Sequence, residues 1–195
     1  MPFNRPDSEQ LNAATSDELA LLAADCLARL EPGRQPLPLF KELGRLMVLS
    51  TFEVTPFRST PRKTEVLLAQ RPADDSWWPS QWHLPGNVLL PTNEHGIHSY
   101  NDSADGILEA EFAGTVVRTS DVQLFNAQRR SGIRGSEQTV FGWAEVDAAD
   151  ASSAIEGGQF FDVEKVLSEP PREGLLEGHA LTIELALANY LLDQA

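Results

Sequence analysis

Three arginines lie close together in the segment RRSGIRG, at positions 129, 130 and 134. A guanidinium group can hold phosphate oxygens through two parallel hydrogen bonds, so Arg129, Arg130 and Arg134 could grip a diphosphate. The rest of the chain is strongly acidic, which makes this local excess of positive charge informative. An ordinary exposed hairpin with three solvated arginines is an equally good interpretation.

Three tryptophans stand in the segment WWPSQWHLPGN, residues 77 to 87. Trp77 and Trp78 could stack on a base or an isoprenoid, or they could attach a long loop to the body of the protein. We assign Trp82 mainly to packing, because packing is the commoner use of a tryptophan.

A histidine pair follows in the segment NEHGIHSY, where His95 and His98 could bind a metal ion together with Glu94. Three ligands from one loop without a fourth make a weak site, so solvated loop histidines are the better interpretation. The sequence contains no nucleophile elbow, phosphate-binding Walker loop or zinc-protease helix. Nucleophilic catalysis is therefore not expected.

The composition limits the class of protein. The chain has 195 residues, 42% hydrophobic and 23% charged, which suffices for one globular domain. Its formal net charge of -14 disfavours nucleic acid and membrane partners, although a divalent cation could bridge it to an anionic small molecule. With a single cysteine, Cys26, and no signal-peptide pattern, we expect a soluble cytoplasmic protein.

The first half of the chain predicts a helix, a connector and a hairpin. Thr15 and Glu18 have the spacing of a capping box, and the leucines after them recur at helical intervals up to about Pro32 and Gly33. The prolines of RQPLPLFKELGRL suggest an extended connector. Residues 46–58 and 63–72 then form two β-rich runs, separated by a polar turn.

The second half predicts a helix, another hairpin and a terminal helix. In NDSADGILEAEFAG, Asn101, Asp102 or Ser103 could cap a short helix that ends at Gly114. Residues 115–130 and 137–148 read as two strands joined by the loop SGIRGS, and a final helix runs from about Leu175 to Leu192.

This order of elements, together with WHLPGN and the preceding LLAQRP, resembles the Nudix hydrolase family over roughly residues 46 to 192. The family's box runs G-x5-E-x7-R-E-U-x-E-E-x-G-U. When GILEAEFAG is placed on its helical half, Gly106 stands at the arginine, Ile107 at the first glutamate, Ala110 at the next and Glu111 at the last. Only one of the three helical glutamates is present.

The resemblance implies an α/β/α sandwich with a mixed sheet, an α+β arrangement preceded by an N-terminal helical arm. Residues 1–45 are then the arm and connector, and residues 46–195 the Nudix-like domain. The terminal arm's leucine face needs a partner, either the core or a second copy, so a homodimer is left open.

The resemblance also implies site residues. Glu111 and Glu109 are the candidate catalytic residues, and Glu111, Glu109 and Glu94 the candidate ligands of Mg²⁺ or Mn²⁺. On a helix Asp105 and Glu109 share one face while Glu111 points elsewhere, so Glu111 needs a loop acid such as Glu94, Asp102 or Glu137. The expected substrate-binding residues are Arg71, Trp77, Trp78, Pro85, Gly86, Arg129, Arg130 and Arg134.

Two functions follow from the resemblance. The first is metal-dependent pyrophosphate cleavage of a nucleoside diphosphate linked to another moiety, as in a Nudix pyrophosphohydrolase. The alternative is a catalytically inactive Nudix-like domain that binds a nucleotide-type ligand or a protein partner. The expected ligand is in either case a phosphorylated small molecule, with neither a nucleic acid polymer nor a membrane as partner. If Asp105 and Glu109 are merely solvated and Asp102 is merely a cap, the alternative gains weight.

Overall fold

The computed structural model describes residues 15–30, 35–89, 100–112, 122–132, 135–146, 157–171 and 173–194. The chain divides into two compact units. One unit comprises Met1–Arg34 and Leu90–Glu94, and the other comprises Gln35–Leu89 and His95–Ala195. The predicted boundary between residues 45 and 46 stays a prediction.

The first unit contains helix α1, Ser16–Leu27. Its capping box is confirmed: the Thr15 amide donates to Glu18 Oε2 at 2.8 Å, and the Glu18 amide donates to Thr15 Oγ1 at 3.4 Å. No residue of α1 is buried. The helix ends at Leu27, before the predicted Pro32 and Gly33, which lie outside the described residues.

The expected extended connector is wrong over its larger part, because Leu37–Leu46 forms helix α2. Pro36 stands at its N-cap and Pro38 in its first turn. A proline in the first helical turn costs no hydrogen bond, because the amide groups there have no partner within the helix. The prolines of this segment therefore start a helix instead of preventing one.

A mixed sheet forms the body of the second unit. Among the described residues its strands are β1 Val48–Thr60, β2 Lys63–Gln70, β3 Trp82–His83, β4 Gly86–Val88, β5 Gln123–Gly132, β6 Gly135–Glu145 and β7 Gly158–Asp162. The central order is β3-β2-β1-β6-β5, with β4 beside β1 and β7 beside β2. Strands β1 and β6 are parallel, and the other pairs are antiparallel. Both predicted hairpins, β1–β2 and β5–β6, are confirmed.

Helices cover both faces of this sheet. Helix α3, Tyr100–Glu111, places Ala104, Ile107 and Leu108 in a core with Phe52 and Val54 of β1. Helices α4, Val163–Ser168, and α5, His179–Asp193, pack on a second core formed around Phe57, Val66 and Trp143. The second unit is thus an α/β/α sandwich, as the sequence predicts.

Two helix starts differ from prediction. Asn101, Asp102 and Ser103 lie inside α3 and therefore are not its N-cap, while Gly114 lies outside the described residues. Helix α5 begins at His179, because Gly178 before it has φ 84°, a left-handed conformation that interrupts a helix starting at Leu175. Among the described residues, no helix is long and apolar enough to cross a membrane.

Candidate functional site

The C-terminal end of α3 meets the ends of β2 and β3. Glu111 is the last residue of α3, Arg71 directly follows β2, and His83 of β3 pairs with Ala69 of β2. His83 Nε2 lies 3.9 Å from Glu111 Oε2. Asp75 completes this group, which we call the Arg71 cluster: Arg71, Asp75, His83 and Glu111.

Glu111 is the partly buried acid of this cluster. Its side chain is 29% exposed, and burial raises its pKa, while the nearby Arg71 charge acts in the opposite direction. Burial disfavours the ionised form of a carboxyl group because the charge loses its hydration. Glu111 therefore holds its proton to a higher pH than an exposed glutamate does.

Arg71 has few partners for its donors. Its Nη1 lies 3.7 Å from Asp75 Oδ2, and the guanidinium carbon lies 5.8 Å from the centre of the Trp78 ring. Its Nε is buried and has no hydrogen-bond partner among the described residues. A buried donor without an acceptor costs free energy, so this atom calls for an explanation.

The loop Pro72–Gln81 carries two of the tryptophans, and we call it the tryptophan loop. Asp75 Oδ1 accepts hydrogen bonds from the amides of Trp77 and Trp78 at 2.9 and 2.8 Å. Burial acts to raise the pKa of Asp75, but these two bonds and the Arg71 charge outweigh it, so its pKa is lowered. The carboxylate of Asp75 thus fixes the backbone that carries both rings.

A second polar group surrounds Arg130, and we call it the Arg130 network: Arg130, Glu53, His179 and Thr182. Arg130 Nη1 lies 3.3 Å from Glu53 Oε1, and its Nη2 donates to Thr182 Oγ1 at 3.1 Å. His179 Nε2 lies 3.7 Å from Glu53 Oε2. The Glu53 and His179 side chains are only 12% and 4% exposed. This network joins β1, β5 and the start of α5.

The peptide groups of Leu84 connect the two groups of residues. His83 Nδ1 lies 2.7 Å from the Leu84 carbonyl, which can only accept, so this nitrogen carries a proton. The Leu84 amide donates to His179 Nδ1 at 2.9 Å, so that nitrogen lacks one. The hydrogen bond at Nδ1 fixes the orientation of each ring. As a result, Nε2 of His83 faces Glu111, and Nε2 of His179 faces Glu53.

Pro85 and Gly86 lie between these groups, on the chain between β3 and β4. Pro85 is buried, and its carbonyl accepts from the Val54 amide at 3.0 Å. Gly86 pairs with Glu53, and a Cβ added to it would lie 2.7 Å from Glu53 Cγ. Only glycine therefore leaves room for the Glu53 side chain in its present position.

The described donors do not fit a magnesium site. Mg²⁺ prefers six oxygen ligands in octahedral geometry, whereas the described groups beside Glu111 are the His83 imidazole and the Arg71 guanidinium, which supply no oxygen. No group of three or more histidine, cysteine, aspartate or glutamate side chains that could hold a metal lies within the described part of the chain. The Glu109 side chain and all of Glu94 lie outside that part, as do His95 and His98.

The structure separates the arginines predicted to act together. Arg129 is exposed and, as a neighbour on β5, points to the opposite face of the sheet from Arg130. Arg134 lies outside the described residues. Asp102 and Asp105 are exposed on α3, and Glu137 is buried opposite Arg130 in the β5–β6 hairpin.

The tryptophans also separate into two kinds. Trp82 is 8% exposed, contacts the Phe161 ring edge to face, and donates from Nε1 to Glu173 at 3.3 Å. This confirms its assignment to packing. Trp77 and Trp78 are half-buried.

Sequence reasoning missed Glu53, Asp75, His83 and His179. His83 stands within the quoted segment WHLPGN, and Glu53 is a charged residue inside an apolar strand, so both carried a signal. His179 lies 96 positions from His83, and only the tertiary fold brings both histidines to the backbone of Leu84.

No protein-family model and no curated protein sequence matches the chain. Solved structures resemble it. The NrtR protein of Shewanella oneidensis superposes with a TM-score of 0.57 at 21% sequence identity, over 74% of this chain and 64% of that one. The NUDIX domain of the same protein, in complex with ADP ribose, gives 0.56 at 20% identity, over 86% and 97%. A mutT/nudix family protein of Listeria innocua gives 0.55 at 18% identity, over 75% and 96%.

The chain has a Nudix-like fold. At these identities the likeness defines the fold alone, and this chain spans less than two thirds of the NrtR chain's length. Helix α3 contains most of the segment that resembles the helical half of the Nudix box. The Arg71 cluster lies at the C-terminal end of that helix.

Proposed function

We propose that this Nudix-like domain binds a phosphorylated small molecule of the nucleoside diphosphate type, with Arg71 holding the diphosphate. The observation that carries the proposal is the loose pairing of Arg71, whose side chain is 24% exposed and whose Nη1 lies 3.7 Å from Asp75 Oδ2. Phosphate oxygens that reach the exposed part of this side chain would give it closer acceptors than Asp75 does, and the guanidinium fork suits two such oxygens at once.

The electrostatics of the Arg71 cluster support an anionic ligand. The chain carries a net charge of -14, which repels anions at a distance, so a site for one needs a local cation. Arg71 supplies that charge. Because burial raises the pKa of Glu111, this neighbour is less ionised at a given pH than an exposed glutamate, and it therefore repels an anion less.

The other predicted binding residues take different places in this proposal. Pro85 and Gly86 shape the backbone between the two polar groups. Arg130 is already held by Glu53 and Thr182, so we assign it to support of the fold. Binding by Arg129 and Arg134 stays a prediction. On composition and cysteine content we also propose a cytoplasmic location.

Metal-dependent pyrophosphate cleavage is the second candidate function. The position of Glu111 at the end of α3, beside His83, favours it. Since the described donors do not fit Mg²⁺ or Mn²⁺, this candidate needs Glu109 and Glu94 as further ligands. Binding without hydrolysis is therefore the function that we place first.

One experiment on the full chain distinguishes the two candidates. Isothermal titration with ADP-ribose, ADP, a nucleotide sugar and a dinucleoside polyphosphate, first in EDTA and then with Mg²⁺ or Mn²⁺, measures binding. Phosphorus NMR of the same mixtures measures cleavage. We expect at least one of these compounds to bind in EDTA and to remain intact with either metal.

Failure of every compound to bind would refute the proposal. Cleavage would replace it by the second candidate. Glu111→Gln should in that case lower turnover at least roughly tenfold, about 1.4 kcal/mol of transition-state stabilisation. If Glu111→Gln left such turnover intact, the catalytic assignment of Glu111 would be wrong.

A further inference from the structure

The tryptophan loop is built more rigidly than a simple connection requires. Beyond the two bonds to Asp75, the amides of Asp75 and Ser80 both donate to the Pro72 carbonyl, at 3.1 and 3.2 Å. The Arg71 amide donates to the Gln81 carbonyl at 2.9 Å and closes the base of the loop. Ser80 has φ 60°, the left-handed region that a residue with a side chain rarely adopts. This geometry holds Trp77 and Trp78 in defined positions.

These rings are not placed where core tryptophans are placed. Trp82 and Trp143 are 8% and 5% exposed, whereas Trp77 and Trp78 are half-buried. Their ring centres lie 6.1 Å apart with planes tilted by 40°. A loop that served only to bury its tryptophans would turn them inward, so the partial exposure of two fixed rings indicates a surface for a ligand.

Helix α2 adds a third ring and a second cation. Phe40 meets Trp77 edge to face at 6.4 Å and 69°, and Lys41 Nζ lies 5.2 Å from the centre of the same ring. Four residues after Phe40, Gly44 is buried where α2 packs closely against Gly135 of β6. The contact is so close that a Cβ on Gly135 would collide with the Gly44 carbonyl. Phe40 and Gly44 lie on one face of α2, so this contact also positions Phe40.

We propose that Phe40, Lys41, Trp77 and Trp78 form a subsite for the planar heteroaromatic ring of a nucleotide. This inference rests on the proposed function, because Arg71, which holds the phosphate in that proposal, lies beside Trp78. Every nucleobase offers a π-face that stacks on an aromatic side chain. Cations at both ends of the aromatic surface, Lys41 and Arg71, fit a ring that is joined to an anionic group.

The test compares ADP with inorganic pyrophosphate, which has the phosphates without the ring. Isothermal titration of both probes with the wild-type chain, Trp77→Leu and a control, Phe125→Leu, gives the ratio of the two affinities. Phe125 is a half-buried ring on β5 that contacts Phe141. We expect Trp77→Leu to weaken ADP binding about tenfold and pyrophosphate binding less than about twofold. A loss of affinity of about tenfold is the size expected when one base loses its stacking partner. Phe125→Leu should leave the ratio unchanged.

A second variant covers the case in which Trp77→Leu does not fold. Lys41 is exposed, so Lys41→Met keeps the apolar stem and should weaken ADP about threefold while pyrophosphate changes less. Equal weakening of both probes, or no change in either, would overturn the subsite and leave the proposed function standing. If the wild type binds pyrophosphate but not ADP, the subsite is likewise overturned and the proposed function stands. If the wild type binds neither probe and none of the other nucleotide compounds named above, both proposals are overturned together.

Discussion

Arg130 and Arg71 have side chains of similar exposure, 27% and 24%, yet their surroundings differ. Arg130 contacts the Glu53 carboxylate, the Thr182 hydroxyl and the Phe141 ring, whose centre is 4.5 Å from the guanidinium carbon. Arg71 has a loose ion pair at 3.7 Å and a buried Nε without a partner among the described residues. The comparison separates an arginine that is held by close partners from one that is held loosely, which we propose holds the ligand.

The two histidines repeat this difference. His179 lies within the Arg130 network, which joins three structural elements, and it directs Nε2 to Glu53. His83 directs Nε2 to Glu111, a side chain that is still 29% exposed. Both are oriented by Leu84, so the network of fixed partners provides the frame on which the Arg71 cluster is built.

The largest effect on stability should come from breaking the Arg130 network. Arg130→Met removes the charge that faces the nearly buried Glu53, and we expect the free energy of unfolding to fall by about 2 kcal/mol. This is below the loss for a fully buried pair, because Arg130 is partly exposed. Urea unfolding measures it.

The matched control for this change is Arg129→Met, one residue earlier on the exposed side of β5. It should alter the free energy of unfolding by no more than about 0.5 kcal/mol. Equal effects of the two substitutions would contradict the distinction between an arginine held by partners and a solvated one.

A smaller loss is expected at Gly86. Gly86→Ala places a Cβ against Glu53 Cγ and should cost about 1 kcal/mol of unfolding free energy, through displacement of Glu53 from its partners. The same substitution in a Glu53→Ala background should cost less, which a double-mutant cycle in urea measures. Additive effects would show that the two side chains do not compete for the same space.

The smallest effect concerns the pH dependence at Glu111. Burial raises the pKa of the Glu111 carboxyl in the folded state, so ionisation of this group lowers the free energy of unfolding. The loss is absent at a pH below the carboxyl's pKa in the unfolded chain. It is fully present at a pH above its pKa in the folded protein. Glu111→Gln removes the loss. The variant should therefore have the same unfolding temperature as the wild type at about pH 4, and a higher unfolding temperature than the wild type as the pH rises to about 8.

Thermal unfolding at several pH values measures this difference, with Glu164→Gln on the exposed side of α4 as control. A difference between variant and wild type that stays constant with pH would mean that Glu111 titrates as an ordinary surface acid.

The sequence predicts the fold well where the signals are local. The capping box at Thr15, the polar turn between β1 and β2, and the short helix α3 all lie within short windows, and the structure confirms them. The segment before β1 was misjudged, because prolines at a helix start and prolines in an extended chain look alike without the residues that pack on them.

The site is less predictable for the same reason. The resemblance to the Nudix family implies Arg71 and the two tryptophans as binding residues. The difference in surroundings between Arg130 and Arg71 depends on Glu53 and Thr182. These two residues lie far from Arg130 in sequence, and only the sheet and α5 bring them into contact with it. Sequence patterns give the residue types, whereas the number of partners around each guanidinium is a property of the tertiary structure.

The central claim is that Arg71 is the arginine that holds the ligand's phosphates. Isothermal titration of the full chain with ADP-ribose, for the wild type, Arg71→Ala and the exposed turn variant Arg62→Ala, tests it most directly. We predict that Arg71→Ala weakens binding at least about tenfold, or 1.4 kcal/mol, while Arg62→Ala stays within about twofold of the wild type. Binding by Arg71→Ala as tight as that of the wild type would contradict the account.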